Sequence, residues 1–295
     1  MTAPPPFSYD EFTARNLGFV SEAEQRRLQA VRVFVCGAGG MGGAALQSLI
    51  RAGVGHVAVA DPDCFELSNL NRQVFASLDT LGRRKVDAVH AAARAINPEL
   101  ELETYGAEWT GAAYGLLERY PIVINAMDDI PAGVLLYRKA RERGATVIDA
   151  YTSPLPSVTV VRPAAPRPEE RLGYPTVGKA IEAMTPEDAA HCLRRELEYV
   201  LVHSSSARHI DLALARDFLL GRRKRPSFAP MVITTGNLMC FETVKLVLER
   251  GTPTDERGYF FNPWDGTVER PRRGLRAFVA RRAVRRWIRE LGGDA

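Results

Sequence analysis

VRVFVCGAGGMGG at residues 31–43 and VAVADPDCFELSNLNRQ at residues 57–73 join a glycine-rich turn to an acidic strand end and then to a polar Asn/Arg/Gln cluster. Residues 31–36 are a β-branched apolar run too short for a helix. They end on Gly37-Ala38-Gly39-Gly40-Met41-Gly42, before an apolar helical pattern that runs through Leu49 and Ile50. The glycines therefore stand at a strand-to-helix turn. Without a Cβ the backbone there can bend tightly and approach a phosphate, and the helix N-terminus behind it offers unpaired N–H groups and the positive end of its dipole. A second strand, residues 56–60, delivers Asp61 about twenty residues after the glycines, where a carboxylate can take a ribose hydroxyl.

Such a turn with one acid suits a nicotinamide or flavin dinucleotide as well as ATP. The residues that follow favour ATP. Asp61-Pro62-Asp63, then Ser68-Asn69-Leu70-Asn71-Arg72-Gln73, then Lys85 at a helix start have no use in a dinucleotide site. A triphosphate does use them: a carboxylate anchors the ribose, and two cations along the β and γ phosphates spread the charge that moves when pyrophosphate leaves. The competing reading of Arg72 and Lys85 is a pair of solvated surface cations.

With these residues in hand, the chain resembles the adenylyltransferases of the ThiF, MoeB and HesA type. That family activates ubiquitin-like and sulfur-carrier proteins, and shares its nucleotide fold with ubiquitin-activating enzymes and with a tRNA-modifying dehydratase. Gly37, Gly39, Gly40 and Gly42 look like the family's nucleotide turn, residues 61–73 look like its D-x-D-x-x-x-x-S-N-L-N-R-Q block, and Lys85 falls at its phosphate lysine. The resemblance implies that Asp61 and Asp63 serve the nucleotide, with Asp61 on the ribose, and that Asn69, Arg72, Gln73 and Lys85 serve the phosphates. It also implies a homodimer in which Arg15, ahead of SEAEQRRL, reaches the partner's ATP. Residues 122–129, IVINAMDD, read as a buried strand ending in two acids, at the carboxyl end where parallel sheets gather ligands. By resemblance Asp128 is the Mg²⁺ ligand, one carboxylate being enough beside phosphate oxygens and water. Asp129 fits a helix N-cap better.

The four cysteines, at 36, 64, 192 and 240, form no C-x-x-C pair, so the structural zinc of many sulfur-carrier adenylyltransferases is not expected. Cys192, in AAHCLRRELEYVL, is the one candidate for a thioester nucleophile. A helix with arginines on its wet face is the favoured reading of that segment. At 295 residues with 46% apolar content the chain can bury a substantial core, and its net charge of +4 is too small to imply nucleic acid by itself. The sequence shows no apolar run expected to span a bilayer and no signal peptide, so a cytoplasmic protein is expected.

Alternating strands and helices between residues 31 and 162 predict an α/β, Rossmann-like, doubly wound, mainly parallel sheet with helices on both faces. An N-terminal helical arm, residues 1–30, lacks core character of its own and is expected to dock elsewhere. Four prolines, at 163, 166, 168 and 175, open an insert over 163–228 that occupies the place of a substrate-facing crossover segment. Residues 229–295 return to the core, with a hairpin turning at Asp265-Gly266 and a basic terminal helix. In that helix Leu275, Phe278, Val279, Val284, Trp287 and Ile288 are expected on one side. Its arginines suit water, with the helix docked on its own domain, or else RNA or an acidic membrane surface.

Function follows as an expectation: an ATP- and Mg²⁺-dependent adenylyltransferase acting on the C-terminus of a small carrier protein or peptide. The alternatives are a tRNA threonylcarbamoyladenosine dehydratase-like enzyme, with tRNA as partner, and a non-catalytic nucleotide-binding recognition subunit. The intact polar cluster counts against the last.

Overall fold

The computed structural model describes residues 6–219 and 221–292, so the first five residues of the arm and the last three of the tail lie outside it. Helices α1 (Tyr9–Thr13) and α2 (Glu22–Ala30) precede β1 (Arg32–Cys36), α3 (Gly40–Arg51), β2 (His56–Ala60), α4 (Lys85–Ile96), β3 (Glu101–Tyr105), α5 (Trp109–Arg119), β4 (Ile122–Asn125), α6 (Ile130–Arg143) and β5 (Thr146–Asp149). There follow β6 (Ser157–Val161), α7 (Pro168–Leu172), α8 (Pro186–His203), α9 (Leu212–Leu219), α10 (Ala229–Leu248), β7 (Tyr259–Asn262), β8 (Thr267–Glu269) and α11 (Gly274–Gly292).

Among the described residues these strands make one sheet of order β3-β2-β1-β4-β5-β6-β7-β8. The first five are parallel, and β6, β7 and β8 add antiparallel edges. Alternation along the strands sorts the core: Val33 and Val35 face α3 and α4 with Leu46, Leu49 and Val89, whereas Phe34 and Cys36 face α5 and α6 with Trp109, Leu116 and Leu136. Because β1 is flanked by β2 on one side and β4 on the other, the winding reverses there. Cys36 stands beside Asn125, and the loops that follow the two strands open the crevice in which doubly wound folds bind ligands.

The arm departs from expectation. It docks on its own chain: the Tyr9 hydroxyl donates to the Gly53 carbonyl (2.6 Å), Gln25 Nε2 donates to the Ala52 carbonyl (3.0 Å), and Leu28 is buried. The sequence reading missed this because the anchors are a Tyr and a Gln that cap the carbonyls at the end of α3, not an apolar stripe. Arg15 remains outside, exposed, with Leu17 and Phe19 beside it.

Helix α10 is long and apolar enough to cross a membrane, against the expectation that no such segment exists. Here it packs along α3, with Thr235, Gly236, Met239, Cys240 and Glu242 buried. Gly236 makes the close approach possible, since a Cβ there would stand 2.3 Å from the Met41 carbonyl oxygen.

The tail helix α11 lies on α8, where Arg285 donates to Glu198 (2.7 Å) and Arg272 to the Val202 carbonyl (2.7 Å). Trp287 and Ile288 line an apolar cavity with Leu197, Val200 and Leu201 of α8, whereas Leu275, Phe278 and Val279 are exposed. The expected single apolar side is therefore two. At 3.6 residues per turn the group 275, 278, 279 and the group 284, 287, 288 point about 180° apart, so one contact cannot cover both.

Candidate active site

Two glycines shape the crevice. Gly37 has φ +95°, and a Cβ there would stand 2.7 Å from the Ala126 carbonyl oxygen in the loop after β4. Gly42, in the first turn of α3, passes so close that its Cβ would meet the Gly37 carbonyl oxygen at 1.8 Å. Gly39 is the N-cap of α3 and supplies no side-chain acceptor, which leaves the helix N-terminus available to an anion.

Asp61 ties this turn to its neighbours. Its Oδ2 accepts from the Ala38 N–H (2.7 Å) and its Oδ1 from the Asp63 N–H (2.9 Å), both on a carboxylate that is almost fully buried. Lys85 opens α4 with its backbone N–H on the Asp63 carbonyl (2.9 Å), which brings its Nζ to 2.7 Å from Asp63 Oδ2 and 3.5 Å from Asp61 Oδ1. A buried cation between two acids at a strand end is a built feature, not the solvated surface pair that was its competing reading.

Gly37, Gly39, Gly40, Asp61, Asp63, Arg72, Gln73, Lys85 and Asp128 together line one cavity of about 610 Å³. Arg72 reaches it from an exposed loop, held on the Ser68 carbonyl and Asn71 Oδ1 (both 2.8 Å), and Gln73 is buried with its Oε1 unpartnered. The end of the insert closes the far side through Phe218, Lys224, Arg225 and Ser227. Three of the residues expected to serve the nucleotide do not line it. Gly42 lies beneath the turn, Arg15 is on the outside of the arm, and Asn69 is buried with its Oδ1 on the Glu66 N–H (3.0 Å), capping the turn that carries Arg72. Asp129 caps α6, accepting from the Ala132 N–H at 2.9 Å.

A second cavity of about 380 Å³ shares a wall with the first, formed by Met41, Met127, Asp128, Asp129, Phe218 and Arg225. Its lining includes five Asp, Glu or Arg residues that the sequence reading passed over: Asp149, Glu169, Arg171, Glu196 and Arg225. Asp149 ends β5, where a strand-end acid could have been noticed. Its Oδ2 accepts from Asn125 Nδ2 (2.8 Å) and the Tyr137 hydroxyl (2.6 Å). Arg171 lies over the rings of Tyr151 and Tyr199, and Glu196 accepts from the Thr152 N–H.

Burial pushes the Asp149 carboxyl up to about 7, against the hydrogen bonds from Tyr137 and Asn125. The unfolded carboxyl gives up its proton near pH 4, so between about pH 4 and pH 7 the folded chain holds the extra proton and loses stability as pH rises. Asp149→Asn should therefore gain stability over the parent at about pH 8 and little at about pH 4. Denaturant unfolding across that range tests it, and an unaltered pH profile in the variant contradicts it.

Cys192 packs with Leu172 and Tyr174, fully buried, and burial pushes its thiol up to about 11. A thiol in that state is a poor nucleophile near neutral pH. Among the described residues no three His, Cys, Asp or Glu side chains stand together to hold a metal ion.

Comparison with known proteins agrees with this geometry. The chain is 38% identical to the sulfur carrier protein adenylyltransferase of Thermus thermophilus over 113 residues, 38% of this chain and 42% of that protein. It is 35% identical to the SAMP-activating enzyme E1 of Haloferax volcanii over 125 residues, 42% of this chain and 46% of that one. With the tRNA threonylcarbamoyladenosine dehydratase of Bacillus subtilis it shares 32% over 139 residues, 46% of this chain and 55% of the relative. The matched stretch thus spans about half of each of these relatives. Among solved structures, E. coli MccB with ATP superimposes with a TM-score of 0.61 at 17% identity, over 92% of this chain and 75% of that one. PaaA superimposes with a TM-score of 0.59 at 20% identity, over 92% and 77%. These two likenesses show the fold. The ThiF family model matches residues 13–277, which takes in the sheet, the glycine turn and both cavities, and the chain belongs to the ThiF family.

Proposed function

We propose that the chain is an ATP-dependent adenylyltransferase that activates a carboxylate as an acyl-adenylate, and that the substrate is the C-terminus of a small carrier protein or peptide. The observation that carries this reading is the convergence of the glycine turn, Asp61, Arg72, Gln73, Lys85 and Asp128 on one cavity. Asp61 takes the ribose, as it directly follows β2 beside the turn. Arg72, Gln73 and Lys85 take the phosphates, and Asp63 holds Lys85 in place. Asp128 would hold Mg²⁺, which would supply neutralisation of phosphate charge; one carboxylate is enough for that role. Asn69 acts at one remove, by shaping the loop of Arg72.

An ionised carboxylate needs no base. Its oxygen attacks the α-phosphorus, the bond to the β-phosphate oxygen breaks, and pyrophosphate leaves, so the chain's task is orientation and stabilisation of charge. Transfer from the adenylate goes to an external acceptor. Cys192→Ala should keep both pyrophosphate exchange and overall turnover near the parent rate, whereas loss of turnover with exchange intact would assign Cys192 the acyl group.

Calorimetric titration with ATP plus Mg²⁺ and separately with NAD tests the ligand. ATP should bind and NAD should not; the reverse result refutes the reading. Arg15, exposed beside Leu17 and Phe19, suits a homodimer in which it completes the partner's phosphate site. A sedimentation experiment that finds only monomer at micromolar concentration removes that part. A cytoplasmic setting goes with the need for ATP. One observation favours a second reading, a tRNA-activating dehydratase: the arginines on the outer face of α11. Exchange stimulated by bulk tRNA and by no peptide would favour it.

A further inference from the structure

Nine arginines and no acidic residue fall between positions 270 and 289, in a chain whose net charge is +4, so the rest of the chain is net negative and the positive charge is gathered in this one segment. Where the segment enters α11, Arg257, Arg270 and Arg273 line a cavity of about 440 Å³. Their guanidiniums make no hydrogen bond or ion pair among the described residues, and Arg270 lies over the Tyr259 ring. The one acid in the lining, Asp255, has its Oδ1 on the N–H groups of Arg257 (2.9 Å) and Gly258 (3.1 Å). Three cations against one acid leave the cavity positive, and a phosphate fits that charge and the donor geometry of guanidinium.

Two residues beyond Arg273 the outer face of α11 turns apolar. Leu275, Phe278 and Val279, at i, i+3 and i+4, are 76%, 53% and 58% exposed. Arg276 is exposed beside them, and Arg282, one turn on, lies over the Phe278 ring at 4.7 Å. We propose that this face docks on an anionic lipid surface, with headgroup phosphates in the cavity of Arg257, Arg270 and Arg273 and with Leu275, Phe278 and Val279 below the headgroups, while α11 stays on α8. Such a surface matches both halves of the patch, phosphates for the guanidiniums and acyl chains for the apolar stripe. RNA, the partner in the dehydratase reading, matches the arginines and gives Phe278 a base to stack on, but leaves Leu275 and Val279 in water. A second copy docked face to face would set like charges against each other.

The test is co-sedimentation of the full chain with vesicles of phosphatidylcholine alone and of phosphatidylcholine and phosphatidylglycerol in equal parts. The chain should partition about tenfold or more better onto the anionic vesicles at low salt, and lose most of that gain at high salt. Arg273→Gln combined with Arg276→Gln should lower partitioning about tenfold or more. Leu275→Ser combined with Phe278→Ser should lower it about tenfold at unchanged charge. All four positions are exposed, so both variants should keep the parent's unfolding midpoint, which separates lost docking from lost folding. Equal partitioning onto the two vesicles, no vesicle binding, partitioning that ignores the Leu275 and Phe278 pair, or tighter binding of a single-stranded RNA that is likewise indifferent to that pair would each overturn the proposal.

Discussion

Lys85→Ala should lower adenylation, read as ATP–pyrophosphate exchange, by about a hundredfold or more, the cost of removing one preorganised group that stabilises moving charge. The size of the effect follows from where the ammonium sits. It is held against Asp63 at 2.7 Å and Asp61 at 3.5 Å, with its own side chain only 8% exposed. The substitution also leaves the buried Asp61 carboxylate with backbone donors alone, so unfolding free energy should fall by about 1–3 kcal/mol. Measuring the two together separates chemistry from folding. Near-parental exchange in a folded Lys85→Ala protein would end the assignment of this lysine to the phosphates.

Among alanines placed at the described glycines, Gly42→Ala should have the largest effect on stability, about 3 kcal/mol or more, at the upper end of overpacking costs. The new Cβ would lie 1.8 Å from the Gly37 carbonyl oxygen, a contact between two backbones that no side-chain rotamer can relieve. Either α3 shifts away from the turn or the turn opens, and both spoil the phosphate cradle. Gly111 and Gly115 are the internal controls. They sit in α5 with nothing within 4 Å of an added Cβ, and alanine there should stabilise by about 0.5–1 kcal/mol. Denaturant unfolding of the three variants decides the matter, and a Gly42→Ala protein as stable as the parent would mean that the turn is looser than these distances imply.

The parts of the fold that could be read in the sequence were those where local pattern and tertiary role coincide. The strands at 32–36, 56–60, 122–125 and 146–149 are β-branched and buried, so composition and position agree. The glycine turn, Asp61 and Lys85 were legible because a strand end and a helix start carry them to the same crevice. Helix α5 was not, since Gly111 and Gly115 dilute its helical signal. The second cavity was illegible for a different reason. Asp149 follows from β5, Arg171 from α7, Glu196 from α8 and Arg225 from a basic run that reads as solvated surface, and no spacing along the chain announces that they meet. Asn69 shows the converse case: it stands within a recognised block beside Arg72, yet its side chain serves the backbone of its own turn.

Helix α8 carries Glu196 toward the second cavity and Glu198 toward the tail, two positions apart on one rigid rod. A polyanion that lifts α11 off α8 therefore strips a partner from Glu198 and uncovers the apolar cavity closed by Trp287 and Ile288. By reciprocity, an occupant of the second cavity that steadies α8 should make the tail harder to peel away by the same free energy. Amide hydrogen exchange would register this as slower opening of α11 when the distant crevice is filled, so the last helix reports on events in a site it does not touch.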